Sequence, residues 1–326
     1  MPAEWTPHER TLMCWPAREA LWGEHYAQAQ ADHAEVANAV AAFEPVLMAA
    51  DPRHAAEARR LCSEDVEVVE IALDDSWARD SGPIFVFDDD DGERAGVQFG
   101  FNAWGEKFPP WNRDAEFATN VLAVMDEPVR DARHFILEGG SIAVDGEGTL
   151  VTTEQCLLEE HRNPRLSREE IEAELRAQLG AERVVWLGLG LVEDGDTDGH
   201  VDNICAFLAP GRVVLQTVAD EANPNFAPGR ENAERLREAG IDVVELPWLP
   251  YLEGEDPPTV VPYTNFYVCN GGLIVPTLGL ETDAEALALL ESLYPGREAV
   301  PVAGGTLARG GGGVHCITQQ VPALAG

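Results

Sequence analysis

The chain has 326 residues, 45% of them hydrophobic, enough for a sizeable core. Its 22 basic residues face 58 acidic ones, a formal net charge of −36, and a single lysine, Lys107, accompanies the arginines. Such a charge repels nucleic acid and anionic membranes, and no stretch approaches the roughly 20 apolar residues of a membrane span.

The N-terminus, Met1-Pro2-Ala3-Glu4-Trp5, lacks the basic and apolar regions of a signal peptide, so a cytoplasmic location is expected. A helical pattern runs over 27–43. After it, five segments share one plan: a polar cluster, an apolar strand, and in four cases a turn and a second strand. The clusters are Arg79-Asp80-Ser81-Gly82-Pro83, Leu137-Glu138-Gly139-Gly140, Gly199-His200-Val201-Asp202-Asn203, Tyr263-Thr264-Asn265 and Val314-His315-Cys316. Asp91-Gly92, Asp145-Gly146, Pro210-Gly211 and Asn270-Gly271 read as hairpin turns. Helical patterns follow at about 114–125, 168–179, 230–239 and 283–294, the second opened by the capping box Ser167-x-x-Glu170. Short β-rich runs such as 183–187 and 242–246 come next.

The predicted unit is therefore strand–strand–helix–strand, used five times, in an α/β chain forming one domain over 1–326. The anchors Asp80, Glu138, Asp202, Asn265 and Cys316 recur at the same phase, 58, 64, 63 and 51 residues apart. Units set around an axis would bring them to one end of it. The acids are spread along the whole chain and interleaved with apolar residues. That pattern suits high salt, where ions screen carboxylate repulsion.

Cys316 follows four consecutive glycines, Gly310 to Gly313, which belong where backbone makes a close approach or a loop moves. It is the nucleophile candidate. Cys14, Cys62, Cys156, Cys205 and Cys269 show no zinc spacing and read as core fillers. His200 and Asp202, taken as alternating strand positions, would share a face and suit proton transfer. Asp80 is either a turn cap or a site acid, and Glu138 likewise. Trp77 offers a face for a planar cation. No metal site or phosphate loop is found. A thiol among several acids suits a cationic, planar substrate rich in N–H donors, and guanidinium is such a group.

These residues carry a resemblance. The strings Met1-Pro-Ala-Glu-Trp5, Trp77-Ala-Arg-Asp-Ser-Gly-Pro83, Phe101-Asn-Ala-Trp104-Gly105, Leu137-Glu-Gly-Gly140, Gly199-His-Val-Asp202 and Gly310-Gly-Gly-Gly-Val-His-Cys316-Ile-Thr-Gln-Gln320 are similar to the agmatine deiminase and Porphyromonas-type peptidylarginine deiminase family of guanidino-group-modifying (pentein) enzymes. The resemblance implies a five-bladed α/β propeller, no cofactor, a small guanidino substrate, a homo-oligomer and a place in putrescine formation. It implies that Asp80 and Asp202 bind the guanidinium, that Glu138 orients His200, and that Trp77, Asn265 and Gly313 contribute to the pocket. Peptidyl or free arginine is an alternative substrate; amidinotransfer and non-catalytic guanidine binding are further ones. Arg79, Arg113, Arg162, Arg165 and Arg309 lie near candidate site loops, where one could meet the carboxylate of arginine. An acid of the loop 193–198 facing the pocket would instead attract the terminal ammonium of agmatine.

Overall fold

The computed structural model describes residues 1–88 and 92–324. They form five separate sheets. In four of them an antiparallel hairpin is followed by a helix and a parallel strand. The strands of the first are Ile84–Phe87, Arg94–Gly100 and Val129–Ile136, with helix Phe117–Met125 before the last. The second combines Ala143–Val144, Thr149–Thr153 and Arg183–Leu187 with helix Arg168–Leu179. Cys205–Ala209, Arg212–Gln216 and Asp242–Leu246 take helix Phe226–Glu238, and Tyr267–Cys269, Gly272–Thr277 and Glu298–Ala303 take helix Glu281–Leu293.

The fifth sheet joins the two ends of the chain. Thr318–Pro322 pairs antiparallel with His8–Cys14, which is followed by helix Tyr26–Ala41 and the parallel strand Val46–Ala50. A further parallel strand, Val66–Glu70, makes this the one four-stranded sheet.

Central strands such as Val213-Val214-Leu215 are buried throughout, which is why they read as continuous apolar runs rather than alternating ones. The helices present one apolar stripe. Ile171, Leu175 and Leu179 pack with Leu150 and Trp186, each burial stabilising by roughly 1.5–3 kcal/mol. Ser167 and Glu170 close the expected capping box on that helix. The four predicted turns carry glycine in the left-handed region, at Gly146, Gly211, Gly271 and Gly92. Asp91, in the fourth, lies outside the described residues.

One expectation about the anchors needs correction. His200 and Asp202 do not alternate along a strand, because the strand begins only at Cys205. The segment entering the hairpin makes a tight helical turn instead, at Val201–Asn203. Equivalent turns occur at Ala78–Ser81, Gly139–Ser141 and His315–Ile317, and the four pack on one another in series. This turn-on-turn packing gathers Asp80, Glu138, Asp202 and Cys316, and Asn265 joins them through Asn203 and the Cys316 sulfur.

No helix among the described residues is long and apolar enough to cross a membrane.

Candidate active site

Cys316 lies on the tight turn His315–Ile317, 5% exposed, at the base of a narrow cleft. Trp77, Asp80, Trp104, Phe108 and Asp196 line that cleft with it. The amide nitrogen Nδ2 of Asn265 is 3.3 Å from the sulfur, and the thiol points at Asp202 Oδ2, 3.7 Å away. Burial, with Asp202 and Asp80 nearby, pushes the thiol well above its usual range; the Gly313 N–H and Asn265 act in the opposite sense. Asn265 also accepts the His315 backbone N–H and donates to Asn203, so it is fixed against the nucleophile.

The four-glycine loop is explained by close approach. A Cβ at Gly312 would lie 2.4 Å from the Trp77 ring, and one at Gly313 would lie 2.4 Å from Asn265 Oδ1. The loop is pressed onto the walls of the site, where no larger residue fits.

Asp80 accepts from the Gly140 N–H through Oδ1 and from Trp104 Nε1 through Oδ2, both at 2.9 Å. Its carboxyl is raised, first by burial and then by Asp202 and Glu138, while His200 opposes the shift. Trp104 appears in the sequence only as part of a recognisable string. Its backbone is left-handed (φ 56°, ψ 48°), and Ala103 and Glu106 also have positive φ. Such conformations cost of order 1–3 kcal/mol each in non-glycine residues and concentrate at functional sites.

His200 is fully buried. Its Nδ1 is 3.9 Å from Asp80 Oδ1 and its Nε2 is 3.9 Å from Glu138 Oε2. Neither ring nitrogen has a hydrogen-bond partner among the described residues, and Asp202 Oδ1 is likewise buried and without one. Most buried polar atoms are hydrogen-bonded, so three unpartnered atoms on facing side chains leave places for a ligand's hydrogen bonds. Burial works against the imidazolium, but Asp80 and Glu138 outweigh it and His200 titrates well above its ordinary value.

Glu138 makes its hydrogen bonds elsewhere than expected. Arg162 Nε is 3.0 Å from both its oxygens. Burial would raise this acid, but Arg162 and then His200 bring it down to about 2. Arg162 is itself locked, with Nη1 on Asp198 Oδ2 and Nη2 on Thr197 O. It cannot reach out to a substrate carboxylate. Cys156 is also more than a core filler: its sulfur, a Glu138 oxygen and a His200 nitrogen lie within 4.8 Å of one another. Those three groups could in principle meet one ion, but the Arg162 cation already occupies both Glu138 oxygens.

One test of this crowding is Gly140. A Cβ there would sit 2.6 Å from His200 Nδ1, 2.8 Å from Asp202 Oδ2 and 2.9 Å from Asp80 Oδ1. Gly140→Ala is expected to remove at least about 99% of any activity while the fold persists, since misplacing reacting groups by about 1 Å costs on the order of 100-fold. Near-normal turnover with unchanged melting would contradict this geometry.

Among the acids of the loop 193–198, three are engaged. Glu193 accepts from Tyr251 and Asn225, Asp194 from Thr197, His200 N and Asn203, and Asp198 pairs with Lys107 and Arg162. Asp196 makes no side-chain hydrogen bond or ion pair among the described residues. It lines both the inner cleft and an outer vestibule.

The sheets and the thiol–imidazole–carboxylate cluster define a protein of the guanidino-group-modifying, or pentein, class. The chain belongs to the Porphyromonas-type peptidyl-arginine deiminase family, whose model matches residues 1–322. It is 43% identical to agmatine deiminase of Pseudomonas aeruginosa strain LESB58, over 99% of this chain and 95% of that one. The structure of agmatine deiminase of Enterococcus faecalis superposes with a TM-score of 0.93 at 34% identity, covering 100% of this chain and 96% of that one. A DDAH from Pseudomonas aeruginosa shares the fold at a TM-score of 0.52 and 15% identity, covering 96% of this chain and 99% of that one.

Proposed function

We propose that the protein is a cofactor-free agmatine deiminase, a hydrolase of linear amidines that yields N-carbamoylputrescine and ammonia. The observation that carries the chemistry is a buried, unpartnered carboxylate oxygen, Asp202 Oδ1, beside a buried thiol. A guanidinium between Asp80 and Asp202 would supply N–H donors to both acids, and Trp77 and Trp104 would flank it. Its positive charge offsets the two carboxylates that hold Cys316 protonated, so substrate binding favours the thiolate.

The thiolate then attacks the guanidinium carbon. The His200 imidazolium gives its proton to the departing nitrogen, and ammonia leaves a thiouronium on Cys316. Neutral His200 next takes a proton from water. The hydroxide adds to the thiouronium carbon, the C–S bond breaks, the adduct's hydroxyl proton passes to the departing Cys316 sulfur, and the neutral ureido product leaves. Glu138, held ionised by Arg162, keeps His200 charged before substrate arrives. Asn265 and Gly313 serve the sulfur rather than the substrate.

We read the five sheets as the blades of a single domain, and the enzyme as a cytoplasmic homo-oligomer in putrescine formation; the sequence resemblance supports the blades, the oligomer and the place in putrescine formation. A panel of agmatine, arginine and arginyl peptides scored for ammonia release tests the assignment, with mass spectrometry of Cys316 for the adduct. Agmatine is expected to give the highest kcat/KM. Binding without turnover or adduct would leave a guanidine-binding protein.

The charge of −36 supports a reading of adaptation to high salt. Thermal melts are expected to rise between low and molar salt as self-repulsion is screened. A flat or falling melting temperature would remove that reading.

A further inference from the structure

Two adjacent residue pairs divide their side chains between opposite sides of the site. Asp80 and Cys316 line the cleft with Trp77 and Trp104. Their predecessors Arg79 and His315 line a second cavity, which shares no residue with the first and is also bounded by Glu4, Trp5 and Asp202. The nucleophile thus has a front, where substrate enters, and a rear, closed by the N-terminal segment.

A continuous hydrogen-bonded chain runs through the rear. His315 Nε2 meets Glu4 Oε2 at 2.8 Å and His315 Nδ1 meets Asp202 Oδ2 at 2.9 Å. That same Asp202 oxygen receives the Cys316 thiol. Glu4 is fixed in turn by the Val268 N–H at 2.9 Å, and Arg79 Nη2 lies 3.8 Å from it. Arg79 is anchored by Gln320 at 2.7 Å. The charged groups facing His315 are therefore Glu4, Asp202 and Arg79, with the Cys316 thiol next to it in the chain. Two carboxylates clasp one imidazole from opposite sides, an arrangement that keeps both ring nitrogens protonated.

We propose that Glu4 and His315 form a positioning pair for Asp202, a cationic imidazole held by the N-terminal segment that fixes Asp202 Oδ2 and moderates the negative charge felt by Cys316. The pair touches neither substrate nor the reacting atoms. By occupying Oδ2, it leaves Oδ1 as the oxygen available to the guanidinium. By placing a cation behind Asp202, it limits how far two buried acids raise the thiol. Burial alone works against a charged His315, and Arg79 does too; Glu4 and Asp202 overcome both, while Glu4 is brought down to about 2 against its own burial. The inference rests on the roles proposed above for Asp202 and Cys316.

The test reads the thiol directly, so that it does not depend on which guanidine is the substrate. Alkylation of Cys316 by iodoacetamide is followed by mass spectrometry of its peptide between pH 6 and 10, alongside kcat and KM. His315→Gln keeps a polar side chain but loses the charge. Its alkylation profile is expected to move to higher pH by about one unit, which is about tenfold slower reaction at fixed pH. The value of kcat should fall about tenfold or more while KM changes little. In Glu4→Gln, His315 loses one carboxylate and its proton is lost at lower pH, so the same shift appears only on the alkaline side. Glu4→Asp should restore the original profile. If His315→Gln does not fold, Glu4→Gln carries the test. A merely structural pair would lower the melting temperature and leave the alkylation profile where it was; unshifted profiles in these variants would overturn the proposal. A normal shift with no deiminase activity would instead refute the functional assignment.

Discussion

Cys316→Ser is expected to lower ammonia release by about 10³–10⁶-fold, with the fold intact. A serine hydroxyl is far less acidic and a poorer nucleophile than a thiol. His200 does not rescue it: the imidazole sits between Asp80 and Glu138 and is already protonated, so it is not available as a base for the first step. The guanidinium charge that is proposed to release the thiol proton cannot shift a hydroxyl far enough. The substitution removes little volume, and Asn265 can still donate to the hydroxyl, so thermal melting should barely change. The loss of turnover and the retention of fold are both measurable on one preparation. Activity within tenfold of the unmodified enzyme would sink the nucleophilic mechanism. Cys156→Ala provides the contrast. Its sulfur lies beside His200 and Glu138 but not on the cleft, so a moderate loss in kcat is expected where Cys14→Ala and Cys205→Ala should affect stability alone.

The periodic parts of this architecture were legible in the sequence because local physics sets them. The helix Arg168–Leu179 follows from its capping box and apolar stripe, and the strands Arg183–Leu187 and Asp242–Leu246 from short β-branched runs. The spacing of Asp80, Glu138, Asp202, Asn265 and Cys316 was legible for the same reason, since each sits at one phase of a repeated unit. The hydrogen-bond partners of those anchors were not. Arg162 reaches Glu138 from 24 residues away, and nothing in its neighbourhood marks it as buried. Trp104 reaches Asp80 through a left-handed turn that no helix or strand pattern announces. The partners of His315, Glu4 and Asp202, lie 311 and 113 residues distant, and its own neighbourhood marks neither. The strand reading of His200 and Asp202 failed because a turn of three residues breaks the period of two before the strand begins. Distant pairings of this kind are decided by closure of the whole molecule.

The choice of substrate tail is the second large effect expected, and it falls on Asp196. An arginine substrate would present a carboxylate to the vestibule, where a cation would have to receive it. Of the arginines near the site, Arg162 is locked on Glu138, Arg79 lines the rear cavity, Arg113 pairs with Asp51, and Arg165 lines neither the cleft nor the vestibule. Arg309 does line the vestibule, but it is bonded to Glu255 at 2.9 Å. Apart from Arg309 and His25, the ionisable residues of that lining are acids: Glu24, Glu193, Asp194, Asp196, Glu255 and Asp256. Asp196 joins the vestibule to the cleft, and burial together with Asp194 raises its carboxyl, while Lys107 opposes this. An arriving ammonium would relieve that repulsion; an arriving carboxylate would add to it. Lys107 also holds the loop through the carbonyls of Gly195 and Asp196, at 2.9 and 3.1 Å, so the acid is presented by a braced backbone. A partly desolvated charge contact of this sort is worth on the order of 1–3 kcal/mol, or about ten- to a hundredfold. Asp196→Asn is therefore expected to lower kcat/KM for agmatine by about ten- to a hundredfold, while the value for arginine stays level or rises. The ratio of the two is the quantity to measure. If it is unchanged in Asp196→Asn, the ammonium is held elsewhere; if arginine is already the better substrate of the unmodified enzyme, the agmatine assignment fails and the thiol chemistry of Cys316 stands.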